Sequence, residues 1–207
     1  MERLIVAFDS FLRTVTGTTN STRQPYSRSY SDSDEISSEQ RRKSINLLRI
    51  NHVGEVCAQG LYQGQILSSC THGQLRDYLL SASLEEFDHL SWCLSRLYEL
   101  GGRPSMLLPL WFTSSFFIGL FAGCCGDSWS LGFLEETEKQ VARHLSEHLE
   151  ALSDQDPRSA EIFSVMKKEE EQHQEHARLN GARELPTPIK KIMWCMSRVM
   201  VFISPLI

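Results

Sequence analysis

The chain has 207 residues, 26 acidic side chains against 21 Lys and Arg, a formal net charge of -5 and 41% hydrophobic residues. That length suits one domain with ample core, with or without appendages. The acidic balance and the lack of a basic stripe with interleaved aromatics exclude nucleic acid as a partner, and six cysteines without a Cys-x-x-Cys exclude a rubredoxin-like or zinc-ribbon module of the usual spacing.

From Met1 to Leu12 the chain is short, mildly apolar and carries Glu2 and Asp9, which fits neither a signal peptide nor an Arg-rich transit sequence and implies no export. Several cysteines lie on apolar helical faces, a use as small hydrophobes that suits a reducing compartment. Thr14 to Ser38 is dominated by Ser, Thr, Arg and Asp, with hardly an aliphatic residue to build a core, and is expected to be a mobile linker. The expected organisation is thus an N-terminal segment and linker over 1–38 and a folded domain over 39–207. Asn20-Ser-Thr22 matches a glycosylation sequon, read as accidental in a chain that is not secreted.

A first core helix is predicted from about Ser38 to Leu67, opening at Ser37 or Ser38 with Glu39 nearby. Its inward stripe of Leu48, His52, Glu55, Gln59 and Tyr62 is unusually polar, as the surroundings of a metal centre or a polar substrate would be. His52 is expected to be either a donor beside that centre or an ordinary satisfied polar residue. Thr71, His72 and Gly73 should turn the chain into a second helix, Gln74 to Leu100, stopped by Gly101-Gly102 and Pro104. From Pro104 to Gly126 there are then 23 residues without a charge. Length alone permits a membrane-crossing helix, yet a single crossing would divide the candidate ligands described below between two sides of a bilayer. Pro109, Thr113, Ser114 and Ser115 also interrupt the stretch, so it is predicted to lie in a membrane interface or to dip into one leaflet. Its Gly119-x-x-x-Gly123 reads either as close packing within the bundle or as a self-association face.

A third helix, about Asp127 to Ser153, opens on an Asp-Ser cap, and a fourth, about Pro157 to Asn180, stops at Gly181. Glu169, Glu171 and Glu175 on the fourth read as a solvated face. Ile189 to Ile207 sets Lys190, Lys191 and Arg198 among apolar residues with Trp194, a basic amphipathic helix that suits either an anionic membrane surface or docking on the bundle.

Two copies of one signal organise these helices. Glu86-Phe-Asp-His89 and Glu170-Glu-Gln-His173 are each a Glu-x-x-His, and Glu55 and Glu138 precede them by 31 and 32 residues, an internal repeat of two helix pairs. Residues three apart share a helix face, so each motif offers a carboxylate and an imidazole to the same point. Glu138 has Leu131, Leu134, Val141, Leu145 and Leu149 on its stripe, and a carboxylate facing a core needs a partner to offset its desolvation. Glu135 and Glu136 are alternative ligands without that apolar frame. The set Glu55, Glu86, His89, Glu138, Glu170 and His173 is that of a carboxylate-bridged two-metal site in an all-α four-helix bundle. Four carboxylates and two imidazoles form a hard, oxygen-rich donor set that suits iron or manganese better than structural zinc, and six side chains leave coordination positions open for dioxygen.

Asn51-His-Val-Gly-Glu55, Glu86-Phe-Asp-His89, Pro109-Leu-Trp111, Glu138 followed by His144, Glu170-x-x-His173 and Gly181-Ala-Arg-Glu-Leu-Pro186 together resemble the demethoxyubiquinol hydroxylase family of ubiquinone biosynthesis, from about Arg42 to the C-terminus. The resemblance implies a ferritin-like di-iron monooxygenase, peripheral on the cytoplasmic side of the inner membrane, that hydroxylates the ring of a polyprenylated methoxy-benzoquinol with O2 and electrons from an external donor. It implies Glu55 and Glu138 as terminal ligands, Glu86 and Glu170 as bridges, one imidazole on each iron, and His144 beside the ligands. Leu145 stands where some members have Tyr. Other proteins of ubiquinone biosynthesis and a second copy of the chain are the further partners it suggests. A rubrerythrin- or bacterioferritin-like iron oxidase or peroxidase is the alternative, and a non-catalytic metal-binding scaffold ranks below both. The uncharged insert and the amphipathic tail favour the hydroxylase.

Overall fold

The computed structural model describes residues 2–18, 21–25, 36–68, 73–152 and 156–206, and among these the secondary structure is helical throughout. The elements are α1 (Glu2–Thr16), α2 (Ser38–Ser68), α3 (Gln74–Glu99), α4 (Leu108–Cys124), α5 (Asp127–Leu152), α6 (Pro157–Leu179) and α7 (Thr187–Ile203). Helix α2 packs antiparallel on α3 and α5 on α6, and the two hairpins meet through α2 against α5 and α3 against α6. This is the all-α, ferritin-like four-helix bundle expected, with α4 and α7 added outside it.

Local chemistry sets the helix ends. Ser37 and Gln40 form a reciprocal cap on α2: the Ser37 N–H donates to Gln40 Oε1 at 2.8 Å and the Gln40 N–H to Ser37 Oγ at 3.2 Å. Gly101, with φ 74, ends α3 in the left-handed conformation that glycine adopts without strain. Asp156 caps α6, accepting from the Ser159 N–H at 3.1 Å, and is also held by Arg96 of α3 at 2.9 Å. Thr71, His72 and Ser153, assigned above to a turn and a helix end, lie outside the described residues, as does Asn20 of the sequon.

The bundle core consists of two apolar clusters stacked along its axis. One gathers Leu48, Cys93, Leu97, Leu145, Phe163 and Met166, and the other Ala58, Tyr62, Leu79, Ala82, Leu134 and Ala177. Every bundle helix contributes to both, and on every one the candidate ligands fall between its two contributions. The carboxylates are therefore fixed in the middle of the bundle by apolar packing above and below them.

The uncharged insert forms a helix that lies along α2. Gly60, Gly64 and Gly119 make this possible: a Cβ at these positions would strike the backbone carbonyls of Phe112, Phe116 and Leu61, respectively. Gly119 and Gly123 thus serve packing within the chain, the first of the two readings. The opposite face of α4 leaves Leu110, Phe117 and Phe121 exposed. Helix α7 has no buried residue and lies across α2 and α5, tied by Arg49 Nη1 donating to the Pro205 carbonyl at 2.9 Å and by a 2.8 Å hydrogen bond between His144 Nε2 and Ser197 Oγ. Among the described residues, no helix is long and apolar enough to cross a membrane.

The N-terminal region differs from expectation. Residues 2–16 form an amphipathic helix whose Phe11 ring meets Phe112 of α4 edge-on at 5.2 Å, so Thr14, assigned to the linker, is buried within α1. Residues 21–25, also assigned to the linker, are bound to α3 and α6. Their hydrogen-bonding side chains need no aliphatic core, because a buried carboxylate, Asp88, supplies the attachment.

Candidate metal centre

All six predicted ligands converge. Glu55 comes from α2, Glu86 and His89 from α3, Glu138 from α5, and Glu170 and His173 from α6, and each is at most 5% exposed. One donor atom from each of Glu55, Glu86, His89 and Glu170 lies within 4.8 Å of the others, and the same holds for Glu86, Glu138, Glu170 and His173. Glu86 and Glu170 belong to both groups, which is the geometry of carboxylates shared between two cations. His89 Nδ1 lies 3.0 Å from Glu86 and 3.2 Å from Glu170, while His173 Nδ1 lies 3.0 Å from Glu86.

The outer nitrogen of each imidazole is also held. His89 Nε2–H donates to Glu169 Oε2 at 2.8 Å, and His173 Nε2–H donates to Glu85 Oε2 at 3.0 Å. Each orienting carboxylate thus stands immediately before the shared Glu of the opposite motif, and the pattern is a doubled Glu-Glu-x-x-His. A carboxylate on the outer nitrogen fixes the tautomer and turns the bare Nδ1 inward. Glu169 is therefore not part of a solvated face. The sequence signal for this pair was the glutamate directly preceding each motif.

The electrostatics describe a site that wants cations. Burial, and after it the charges of Glu86 and Glu170, pushes Glu55 and Glu138 well above the usual carboxylate range. Burial disfavours charge on His89 and His173 too, yet the surrounding carboxylates outweigh it and raise both imidazoles far above the ordinary histidine value. Glu86 is held well below the carboxylate range, against its own burial, by His89 and His173. Four carboxylates packed this closely stay together only by taking up protons or metal. Glu86 Oε1, Glu138 Oε2, both Glu170 oxygens and His173 Nδ1 are buried without a hydrogen-bond partner, a donor set that two divalent cations would satisfy.

The remaining candidates fall into three places. The Tyr62 hydroxyl donates to Glu138 Oε1 at 2.9 Å, beside the centre as the stripe predicted. His52 is buried with neither ring nitrogen hydrogen-bonded, which matches neither of its expected roles, and burial lowers its pKa to about 4. His144 is hydrogen-bonded to Ser197 in the wall of a cavity and joins neither ligand group. Glu136 accepts from Gln140, and neither it nor Glu135 joins the ligand groups.

That cavity, about 230 Å³, opens between α2, α4, α5 and α7. Gly54 and Thr137, neighbours in sequence of Glu55 and Glu138, line it together with Leu61, Trp111, Ile118 and Met193. It is an apolar chamber beside the Glu55 and Glu138 positions of the centre, with Gln140 and His144 among its few polar groups.

Comparison with known proteins gives a consistent result. Residues 42–204 match the family model described as ubiquinone biosynthesis protein COQ7. A protein of Xylella fastidiosa (strain Temecula1) named 3-demethoxyubiquinol 3-hydroxylase is 52% identical over 169 residues, covering 82% of this chain and 77% of its own. Proteins of the same name from Cupriavidus taiwanensis and Polynucleobacter necessarius are 48% and 46% identical, each covering 97% of this chain and 97% and 95% of their own. With four-fifths of its length under the family model and relatives this similar end to end, the chain belongs to the ubiquinone biosynthesis protein COQ7 family.

Proposed function

We propose that this chain is a 3-demethoxyubiquinol 3-hydroxylase in which Glu55, Glu86, His89, Glu138, Glu170 and His173 hold two iron ions. The observation that carries the reading is the convergence of these six buried side chains, five of whose donor atoms make no hydrogen bond. When bound, the iron pair would supply activation of dioxygen: one oxygen atom is inserted into a ring C–H bond as the new hydroxyl, and the other leaves as water with two electrons from an external donor and two protons. Glu86 and Glu170 set the spacing of the two positions because each belongs to both ligand groups. Glu85 and Glu169 keep the Nε2 protons of the imidazoles outward, so that Nδ1 is free to ligate. Tyr62 holds one oxygen of Glu138 and leaves the other facing the centre.

The substrate would enter the cavity between α2, α4, α5 and α7, with its quinol ring near Thr137 and Gln140 and its prenyl tail along the apolar walls. Around that chamber, α4 and α7 expose Leu110, Phe117, Phe121, Trp194, Val199 and Phe202. This is more apolar surface than an isolated soluble protein normally carries on adjoining elements. It supports peripheral attachment to the cytoplasmic side of the inner membrane, where a polyprenylated quinol resides.

Two measurements test the reading. Purified protein loaded anaerobically should bind two irons per chain, and Glu138→Ala should bind fewer; a plateau at one iron removes the paired site. Cells lacking the gene should accumulate a ubiquinone precursor short of one ring oxygen, restored by the wild-type gene and not by Glu170→Ala. Normal ubiquinone with no precursor would favour the iron-oxidase alternative.

A further inference from the structure

The two ends of the centre share a ligand pattern but differ in how their imidazoles are anchored. Glu85, which holds His173, is 43% exposed on its side chain. Glu169, which holds His89, is 16% exposed and is itself gripped: Arg23 Nη1 donates to its Oε1 at 2.7 Å and Nη2 to its Oε2 at 3.1 Å, a two-pronged pair. Arg23 belongs to neither hairpin of the bundle. It reaches this place because residues 21–23 are bound to Asp88 on α3, next to His89. Asp88 accepts from Ser21 Oγ at 3.0 Å, the Thr22 N–H at 2.7 Å and Arg23 Nε at 2.7 Å. Trp92, one turn on, donates its indole N–H to Ser21 Oγ at 2.8 Å and to the Arg23 carbonyl at 3.0 Å, and its ring lies 5.4 Å from that of His89. Asp88 is 5% exposed on its side chain, so this is a built attachment and not a surface contact.

We infer that the segment Ser21–Arg23 is a clamp that makes the two metal positions unequal, holding the cation at His89 more firmly than the one at His173. The inference rests on the two-metal reading of the site. Arg23 acts as a positioning residue: it immobilises Glu169, Glu169 fixes the His89 ring, and the segment holds Trp92, whose ring neighbours that of His89. The His173 end has the same carboxylate–imidazole link through Glu85 but no counterpart of Arg23 among the described residues. A metal leaving through the His89 end must first turn an imidazole locked by three residues, whereas at the His173 end only one partly solvated carboxylate has to move.

Release of iron tests this without recourse to turnover. The full-length protein, loaded anaerobically with two Fe(II), is mixed with excess ferrous chelator and the coloured complex is followed in time. Wild type should lose its metal in two equal phases separated by about 10-fold or more, the range over which partners of ligating histidines act on metal affinity. Arg23→Gln and Asp88→Asn should each accelerate the slow phase by about 5- to 10-fold and leave the fast phase unchanged. Glu85→Gln should accelerate only the fast phase, and Arg23→Lys, with the charge but not the fork, should fall between wild type and Arg23→Gln. The untouched phase in each variant reports that the bundle is intact. A single phase in wild type, or an Arg23→Gln protein in which both phases quicken alike or neither does, overturns the clamp while leaving the paired site standing. Failure of wild type to take up two irons overturns both.

Discussion

Helices α4 and α7 both lie outside the bundle and stand in opposite relations to it. Helix α4 is uncharged and α7 sets Lys190, Lys191 and Arg198 among apolar residues, yet both begin with a proline in the first turn and both expose large hydrophobic side chains. But α4 is seated against α2 with backbones in contact, while α7 buries none of its residues fully and is held by the half-buried Ile189, Met193 and Met200 and a few hydrogen bonds. Apolar content says that a helix avoids water, but the spacing of small residues on a neighbour decides whether the bundle is what it meets. Helix α2 carries Gly60 and Gly64 under α4, and it offers α7 no such groove.

The largest test of this contrast is Gly64→Val. The added Cβ runs into the Phe116 carbonyl, a backbone atom that cannot step aside, so the two helices must part at a cost of about 3 kcal/mol in chemical denaturation, the upper part of the overpacking range. Each of two buried histidines should cost the bundle somewhat less in acid. Burial holds His52 and His148 neutral and lowers the pKa of each to about 4. The unfolded chain binds those protons first, so stability is complete above the ordinary histidine range and is lost as pH falls from there towards 4. At pH 5 the loss is about 2 kcal/mol per histidine, and His148→Gln should flatten the pH dependence of the denaturation midpoint.

Removing α7 by truncation after Pro186 should cost the bundle about 1.5 kcal/mol, from the hydrogen bonds lost with Ser197 and Pro205 and the half-buried Ile189, Met193 and Met200 that leave their clusters. Iron loading should persist, and activity on a long-tailed quinol should fall further than activity on a short, soluble analogue. Equal loss on both would mean that α7 supports the fold as α4 does. The smallest effect belongs to Gly123→Ala, a few tenths of a kcal/mol by the same denaturation assay, because the new methyl meets the Ser68 hydroxyl, which can rotate away. A cost like that of Gly64→Val would show that α4 is gripped along its whole length.

The ligands were legible in the sequence because two rules acted on the same residues: helical spacing put Glu86 with His89 and Glu170 with His173, and apolar neighbours marked Glu138 as inward-facing. Helix ends were legible through Ser37, Pro157 and Gly181, while the Asp156 cap on α6 shows only in the fold. What could not be read were relations between distant segments. Gly119 and Gly123 announced close packing, but only the fold shows that Gly60 and Gly64 receive them. Arg23 looked like a residue of a polar linker because its partners lie 65 and 146 positions away. Glu169 looked solvated because it sits among other glutamates, and its imidazole belongs to another helix. The N-terminal helix is hidden for a different reason: its amphipathic pattern is short, and nothing in the stretch itself names Phe112 of α4 as the surface it packs on.

A duplicated helix pair surrounds its centre with two nearly interchangeable sides, and a symmetric bundle would offer the same approach from either. Here the parts outside the repeat remove that equivalence. The α3–α6 side is fastened by Ser21–Arg23, whereas the α2–α5 side is left with an apolar chamber under α4 and α7. The molecule therefore has a front and a back. On the peripheral attachment proposed above, the fold would set the orientation before a substrate arrives, with the chamber beside the apolar surface and Ser21–Arg23 on the far side of the centre.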